Sequence, residues 1–588
     1  MYLEKFIIKN FRGIENITLN FNKGLNVLIG ENNAGKSAII DALRVCLSYG
    51  NQRREIYISQ SDFHINKSAI SEELNDIEFH LHFHIDVAAE VGWFNDLLSV
   101  AEDGTQDLQL HFRYYLDEND RVKYKVWGGT NEGQAIAPEV LFLIYHVYLD
   151  ALRDAEQYLR PIRGNRLGQL YANIQIDPDH QTDQEKKREL AKKVRSAVDD
   201  DADWVGHVAK GKEKINEHLK ETSFTNKQQQ VDISFLPFDF NKLVDNLKIQ
   251  MPIYTDDLLD GDPSKQKHFE LYQNGLGYNN LIYTATVLGD LKQRKILQAE
   301  TYAALLIEEP EAHLHPQLQN LFFNYLNKLD TEQGFQIFIS SHSPTITAKA
   351  DLKSIIVLQN QANKIHALSL TKSGLTGDNQ KYLHKFLDVT KSQMFFSNGV
   401  ILVEGISEAL LMPAFSRIVG EEYDIDKAGI ELVNLNGVAF SHFANLFNSE
   451  DESKNLMTRC SLLTDDDTAD ENDEITSRAR IANELANKNL KVFLAERTFE
   501  FELFIAGNKD ILLEIFKEMH PVSAAKIVAV ADIKIHAAAF LQKVISNKAK
   551  SELSHRLAVK LASDAEARNA FIVPTYIQNA IKYAVKGE

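Results

Sequence analysis

The chain reads as α/β, with buried strands whose carboxyl ends carry the chemistry. Three stretches predict this. The apolar run LNVLI (25–29) passes through a glycine-rich loop into the helix pattern SAIIDALRVCL. A second run, AALLI (303–307), stops at two adjacent acids, Glu308 and Glu309. A third, VILV (400–403), stops at Glu404 and is followed by ALLMPAFSRIV. Short continuous apolar strands alternating with helices belong to sheets covered on both faces. Ligands bind such sheets at the carboxyl ends of the strands.

Composition narrows the class. At 588 residues the chain accommodates two or three domains, and 44% hydrophobic with 25% charged residues is the balance of a globular protein in water. No long uncharged apolar run is present, and the start MYLEKFIIKN alternates like a strand and lacks a signal peptide's apolar core. No membrane association is expected. Cys46 and Cys460 give neither a zinc spacing nor a disulfide framework, which fits a reducing cytoplasm. The net charge of −19 argues against a generally basic nucleic-acid coat, but it leaves room for a local basic groove.

Taken in order, residues 2–29 begin with antiparallel strands around Arg12-Gly13-Ile14, entered through Asn10-Phe11-Arg12. The strand LNVLI then runs into Gly30-Glu31-Asn32-Asn33-Ala34-Gly35-Lys36-Ser37 and a helix. This is G-x-x-x-x-G-K-S in the context it requires, and it predicts an ATP site. The glycines let backbone N–H groups close on phosphate oxygens, and the helix N-terminus adds its positive dipole end. Lys36 reaches the β- and γ-phosphates, Ser37 binds magnesium, and Gly30, Asn32, Asn33 and Gly35 form the cradle. Gln60 and Asp62 suit either a nucleotide-sensing loop or a plain surface loop.

From 77 to 88 and 108 to 127 period-two alternation returns. His80, His82 and His84 share one face of the first strand. With no carboxylate partner evident, an exposed sheet face is the expected reading rather than a metal site. Residues 138–160 lead into a helical region, and 151–230 reads as a compact helical insertion suited to a dimer contact, with EKKRELAKKVRSAV as one helix. Strand-like alternation resumes at 231–240.

Asn274, Gly275 and Gly277 precede the apolar helix LIYTATVL and suggest a second phosphate cradle, although a helix-capping loop is also open. At the second strand, Glu308 helps hold magnesium and Glu309 positions or activates the water that attacks the γ-phosphate, the form of a Walker B motif. After it, Pro310-Glu311-Ala312-His313 looks like a D-loop. The strand FQIFIS (335–340) ends at Ser341-His342, where a histidine suits a γ-phosphate contact. Together these motifs resemble an ABC-type (SMC/RecF-like) ATPase head. The resemblance implies that the loop with Asn274, Gly275 and Gly277 covers a nucleotide on an opposing subunit, and that Arg12 belongs to the nucleotide site. Glu308 departs from the usual aspartate but keeps its charge.

A second chemical centre follows. Glu404 stands at one strand end and Glu408 about a helical turn on. A strand at 460–464 ends in Asp465-Asp466-Asp467, where Asp465 and Asp467 share a side and Asp466 points away. Converging carboxylates repel one another, and hard divalent cations resolve that repulsion. Two ions about 4 Å apart can bind the attacking and leaving oxygens of a phosphodiester. This arrangement resembles a Toprim domain. Glu500 and Glu502, in TFEFEL (498–503), are candidates for further ligation. Lys543, Lys548, Lys550, Arg556 and Lys560 form a local basic stretch, one lysine of which could stabilise charge on the phosphate.

An ABC-type head followed directly by a Toprim domain resembles the OLD (overcoming lysogenization defect) family of nucleases. The wording YLDALRDA (148–155), QMFFSNGVILVEGISEALLMP (393–413), LLTDDD (462–467), TFEFEL and the ending KAKSELSHRLAVKLA…VPTYIQNAIKY carry that resemblance. It implies metal-dependent DNA nicking or cleavage controlled by ATP, anti-phage defence, a homodimer or higher homo-oligomer, and in Gabija-like systems a helicase-like partner protein. It implies metal ligation by Glu404, Glu408, Asp465, Asp467 and Glu500 or Glu502, with Lys550 as the catalytic lysine. Two Mg2+ or Mn2+ ions belong in the Toprim site and one with ATP. The domains implied are 1–150 and 231–390 for the ATPase, 151–230 for the insertion and 391–588 for the Toprim nuclease.

Two other classes compete. An ATP-driven DNA-binding or repair scaffold with a non-cleaving Toprim domain would not need the clustered acids. A primase would need zinc-binding cysteines, and a topoisomerase would need a DNA-gate domain for which no room follows residue 397.

Overall fold

The computed structural model describes residues 1–49, 56–65, 74–85, 94, 97–100, 106–133, 136–151, 155–222, 230–233, 239–252, 268–297, 300–332, 334–361, 364–437, 440–466 and 476–588. They form two compact units. The first comprises Met1–Leu141, Leu306–Glu311 and Pro316–Glu588, and the second Phe142–Leu305 with Ala312–His315.

The first unit holds three sheets. One is antiparallel, in the order Ile14–Asn20, Tyr2–Phe11, Ile77–His84, Gln106–Leu116, Leu98–Val100, with Val122–Gly128 also paired to Gln106–Leu116. Its period-two pattern buries Ile77, Phe79, Leu81 and Phe83 and turns His80, His82 and His84 to the other face. That face is not the open one expected. His80 Nδ1 lies 2.7 Å from His111 Nδ1, His80 Nε2 lies 3.3 Å from Glu78, and His82 Nδ1 lies 3.1 Å from Asp107. Carboxylate partners are therefore present, supplied by the same strand and its neighbour.

The second sheet carries the glycine-rich loop. The strand Leu25–Gly30 lies between Gln336–Ser341 and Ile355–Gln361, parallel to both, and Lys364–Ser369 pairs antiparallel outside Ile355–Gln361. All six residues of Leu25–Gly30 are buried, as the unbroken apolar run requires. Residues 306–308 end beside Gln336–Ser341, where the Glu309 N–H donates to Ser340 O at 2.9 Å.

The third sheet is fully parallel, in the order Ile430–Asn434, Gly399–Val403, Arg459–Asp465, Leu490–Ala495. Its strands share one apolar core with helices that include Ile406–Val419, Ile533–Ser546, Lys550–Ser563 and Thr575–Lys586. Polar contacts tie the second sheet to the segment that leads into the third within this unit. Gln359 Oε1 accepts the Met457 N–H at 2.8 Å and its Nε2 donates to Thr458 Oγ1 at 3.1 Å, just before the strand that ends at Asp465. The buried Ser392 hydroxyl lies 2.9 Å from both Pro344 O and Val389 O.

The second unit contains the strand Ile144–Leu149, residues 302–305 and the helices Arg166–Asn173, His180–Asp199, Ala202–Thr222 and Leu276–Ile296. The stretch 138–160 leads into a helical region and also contains the strand Ile144–Leu149 between the four-residue helices Pro138–Leu141 and Ala155–Tyr158. Of the strand expected at 231–240, residues 234–238 lie outside the described residues; 231–233 are irregular and a helix starts at Phe240. A buried polar cluster braces the long helix. Asp290 accepts from Asn173 Nδ2 at 2.6 Å and pairs with Arg294, whose guanidinium lies 4.3 Å from the Tyr145 ring centroid. Among the described residues no helix is long and apolar enough to cross a membrane.

Candidate functional site: a phosphate loop and a carboxylate cluster

The phosphate loop is shaped by its glycines. Gly30 has φ 150°, and a Cβ there would meet Leu358 O at 2.2 Å. Gly35 has φ 90° and opens the helix Lys36–Leu47 with no side-chain cap, so first-turn N–H groups point at the loop. Asn32, Asn33 and Ser37 are exposed on it. Lys36 is buried, and its ammonium donates to Gly30 O and Glu31 O, both at 2.7 Å. Burial pulls its pKa down to about 8, against Glu309, Glu31 and Glu311, which raise it. His342 Nε2 lies 3.4 Å from Glu309 Oε1. Glu309 has φ 42°, a sharp turn that follows Glu308 at the strand end. Lys36, Glu309 and His342 thus meet electrostatically, and an uncapped helix start with a buried lysine fits a nucleotide's phosphates.

Arg12 pairs with Asp41, on the helix that the phosphate loop opens, at 2.7 Å and with Asp62 at 2.8 Å. The suggested sensing loop therefore gives Asp62 to Arg12. In the second unit, Gly275 caps the helix Leu276–Ile296, and Gly277 lies inside that helix, where a Cβ would meet His313 O at 2.6 Å. Asn274 Nδ2 donates to Met251 Sδ.

The carboxylate cluster stands at the carboxyl ends of the parallel sheet. Glu404 follows the strand Gly399–Val403 and accepts from the Thr464 hydroxyl and the Asp465 N–H, while Arg478 pairs with it. Glu408, in the first turn of Ile406–Val419, is pushed up to about 7 by burial and by Glu500 and Glu404, with Lys550 opposing. Glu500 sits on the short helix Phe499–Leu503 that Thr498 caps; it is buried and stands 2.9 Å from the Lys550 ammonium. Burial works against the charge on Lys550, but Glu500, Asp465 and Glu408 carry its pKa above the ordinary lysine value. The Glu502 Oε1 is buried with no hydrogen-bond partner among the described residues. Burial first, then Asp465, Glu408, Glu502 and Glu500, push the Tyr576 phenol well above its usual range. Glu404, Glu408, Asp465, Glu500, Glu502, Lys550 and Tyr576 therefore share one neighbourhood.

Among the described residues no three ligand-type side chains are already drawn to metal-holding distance. A buried acid at pKa about 7 and an unpartnered carboxylate oxygen still fit hard cations, which relieve like-charge repulsion. Asp467 lies outside the described residues. The Asp466 Oδ1 accepts from the Thr476 N–H and hydroxyl. In the basic stretch, Arg556 and Lys560 are tied to Glu552 and Glu514, whereas Lys550 alone is shown paired with the cluster. Arg478, Thr464 and Tyr576 escaped the sequence reading, because nothing in their local pattern marks them.

Residues 1–347 match the family model described as AAA ATPase domain. The chain belongs to that family. Residues 395–467 match the Overcoming lysogenization defect protein-like, TOPRIM domain, so the fold class read from the motifs stands: an ATPase domain followed by a TOPRIM domain. The pair implies use of a nucleotide and of divalent metal. The chain is 25% identical to an OLD nuclease of Thermus scotoductus over 74% of its own length and 78% of that protein's. It is 23% identical to the endonuclease GajA of Bacillus cereus over 76% of its length and 73% of that protein's. A solved C-terminal region of the Xanthomonas campestris OLD protein is 24% identical, with TM-score 0.24, covering 33% of this chain and 94% of that one.

Proposed function

We propose that this chain is an ATP-controlled, divalent-metal-dependent DNA endonuclease of the OLD kind, acting in anti-phage defence. The observation that carries this reading is the carboxylate cluster with Lys550 at the ends of a parallel sheet. Divalent cations, when bound, would supply activation of a water and neutralisation of charge on a phosphodiester. Glu404, Glu408 and Asp465 hold them, with Asp467 and with Glu500 or Glu502. Lys550 holds its proton and faces the developing charge on the phosphate.

At the phosphate loop, Gly30, Asn32, Asn33, Gly35 and Lys36 bind ATP, Ser37 and Glu308 hold its magnesium, Glu309 orients the water and His342 faces the γ-phosphate. Arg12 supports the loop through Asp41. Asn274, Gly275 and Gly277 act on the nucleotide of a second copy, which makes the chain a homodimer or higher oligomer. Leu190, Val194 and Val198, spaced four apart on His180–Asp199 and each at least 39% exposed, support a dimer contact in the 151–230 insertion. In this reading 1–150 and 231–390 are the ATPase, 391–588 is the nuclease, the setting is the cytoplasm, and a helicase-like partner protein can join. The Gln359 and Ser392 contacts give the two chemistries a physical connection.

One observation favours the runner-up, a DNA-binding scaffold with a non-cleaving TOPRIM domain: Glu404 is already paired with Arg478 and Thr464. Supercoiled plasmid with Mg2+ or Mn2+ separates them. Nicked or linear product is expected, a gel shift without cutting supports the scaffold, and relaxed closed circles would point to a topoisomerase.

A further inference from the structure

Glu311 lies in the D-loop-like turn after the paired acids, and that resemblance gives its side chain no role of its own. Its Oε1 accepts two hydrogen bonds, from the Ser341 hydroxyl at 2.8 Å and from the His342 main-chain N–H at 2.8 Å. Both donors belong to the strand end that turns into His342. Its Oε2 is buried with no partner among the described residues. A largely buried carboxylate accepting two bonds is a strong, directional tie, because its charge sharpens each bond where little water competes.

The tie closes a ring of contacts. Ser341 Oγ also accepts the Ser343 N–H at 3.0 Å, and Gln319 Nε2 donates to Glu311 O at 3.3 Å. Ser343 then caps the helix Pro344–Lys349 through the Ile346 N–H. One residue pair back, the Glu309 N–H donates to Ser340 O at 2.9 Å. The turn bearing Glu309 and the turn bearing His342 are thus stitched twice, once by main chain and once by the Glu311 side chain. The second stitch sets where the His342 imidazole stands against Glu309, 3.4 Å away.

We propose that Glu311 is a positioning residue for nucleotide hydrolysis, holding His342 against Glu309 through its main chain. The role rests on the reading of the phosphate loop as an ATPase site. The loop itself holds the nucleotide through Lys36 and main-chain N–H groups, so losing Glu311 affects turnover and not nucleotide affinity. A carboxylate that only held the fold would lower thermal stability and would act independently of His342.

The test is steady-state ATP hydrolysis by the full chain with DNA present, comparing wild type with Glu311→Ala, Glu311→Gln, His342→Ala, the Glu311→Ala/His342→Ala double variant and Lys36→Ala. Glu311→Ala is expected to lower kcat about 10- to 100-fold with KM for ATP within about twofold. Glu311→Gln keeps an oxygen acceptor for both donors and recovers most of the rate. The double variant is no slower than His342→Ala alone, since the two act as one unit. Ser341→Ala removes a single donor and gives a several-fold drop, and it stands in if Glu311→Ala does not fold. An unchanged kcat in Glu311→Ala, no recovery in Glu311→Gln, or losses that multiply in the double variant would each overturn the role. If Lys36→Ala leaves hydrolysis intact, the ATPase reading itself falls; if Lys36→Ala abolishes it and Glu311→Ala does not, only the positioning role falls.

Discussion

The two acidic strand ends of this chain are built in different ways. The phosphate loop comes from three short stretches, 30–37, 308–311 and 341–342, and its shape is written into glycine conformations at Gly30 and Gly35. Its positive pole is mostly backbone, with one buried lysine. The carboxylate cluster draws on five segments, from Glu404 to Lys550, and its balance comes from side-chain ion pairs, Glu404 with Arg478 and Glu500 with Lys550. Backbone cradles tolerate side-chain change except at their glycines and lysine, whereas a charge cluster in low dielectric responds to the loss of any member.

The largest effect expected from that contrast is at Lys36. Lys36→Ala lowers ATP hydrolysis about 100- to 1000-fold, measured as phosphate release, while a change at Asn32 costs little because its main chain serves the loop. Next is Lys550→Ala, expected to lower plasmid nicking about 10- to 100-fold with ATP hydrolysis retained. Glu500→Gln removes the partner of that lysine and lowers nicking in the same direction. Equal nicking by Lys550→Ala would show that another cation serves the phosphate.

A smaller effect is expected at the connection. Gln359→Ala removes both contacts to Met457 and Thr458, so each activity persists alone and the change that ATP makes to the nicking rate shrinks several-fold. An ATP effect as large as in wild type would mean that the two sites communicate by another route.

The smallest effect is one of pH. Glu431, on the edge strand Ile430–Asn434, is pushed up from 4.5 to about 7 by burial. Its folded pKa lies above its unfolded one, so its contribution is fully present below about 4.5 and is lost as pH rises to about 7. Thermal melts of Glu431→Gln should lose that part of the pH dependence, with the variant gaining most on wild type above pH 7. Parallel melting curves across pH 5–8 would contradict it.

How much was legible follows from the same contrast. The phosphate loop, the Glu308-Glu309 pair and the strand ends at Glu404 and Asp465 could be read because each is a contiguous motif whose chemistry needs those residues at that spacing. Arg478 and Tyr576 could not, because their place beside the acids is set by tertiary packing across more than 70 residues of chain. The strand Ile144–Leu149 does not stand out in the sequence, because a short apolar run has no period to tell strand from helix. The partners of His80 and His82 come largely from the neighbouring strand, which a one-strand pattern does not show.

The central claim is that cutting resides in the carboxylate cluster and is governed from the phosphate loop. The most direct measurement is nicking of supercoiled plasmid with Mn2+ by wild type, Glu404→Ala and Lys36→Ala, each with and without ATP. The expected result is no nicking by Glu404→Ala in either lane, and nicking by Lys36→Ala that no longer responds to ATP. Nicking by Glu404→Ala at the wild-type rate, or an unchanged ATP response in Lys36→Ala, would contradict the account.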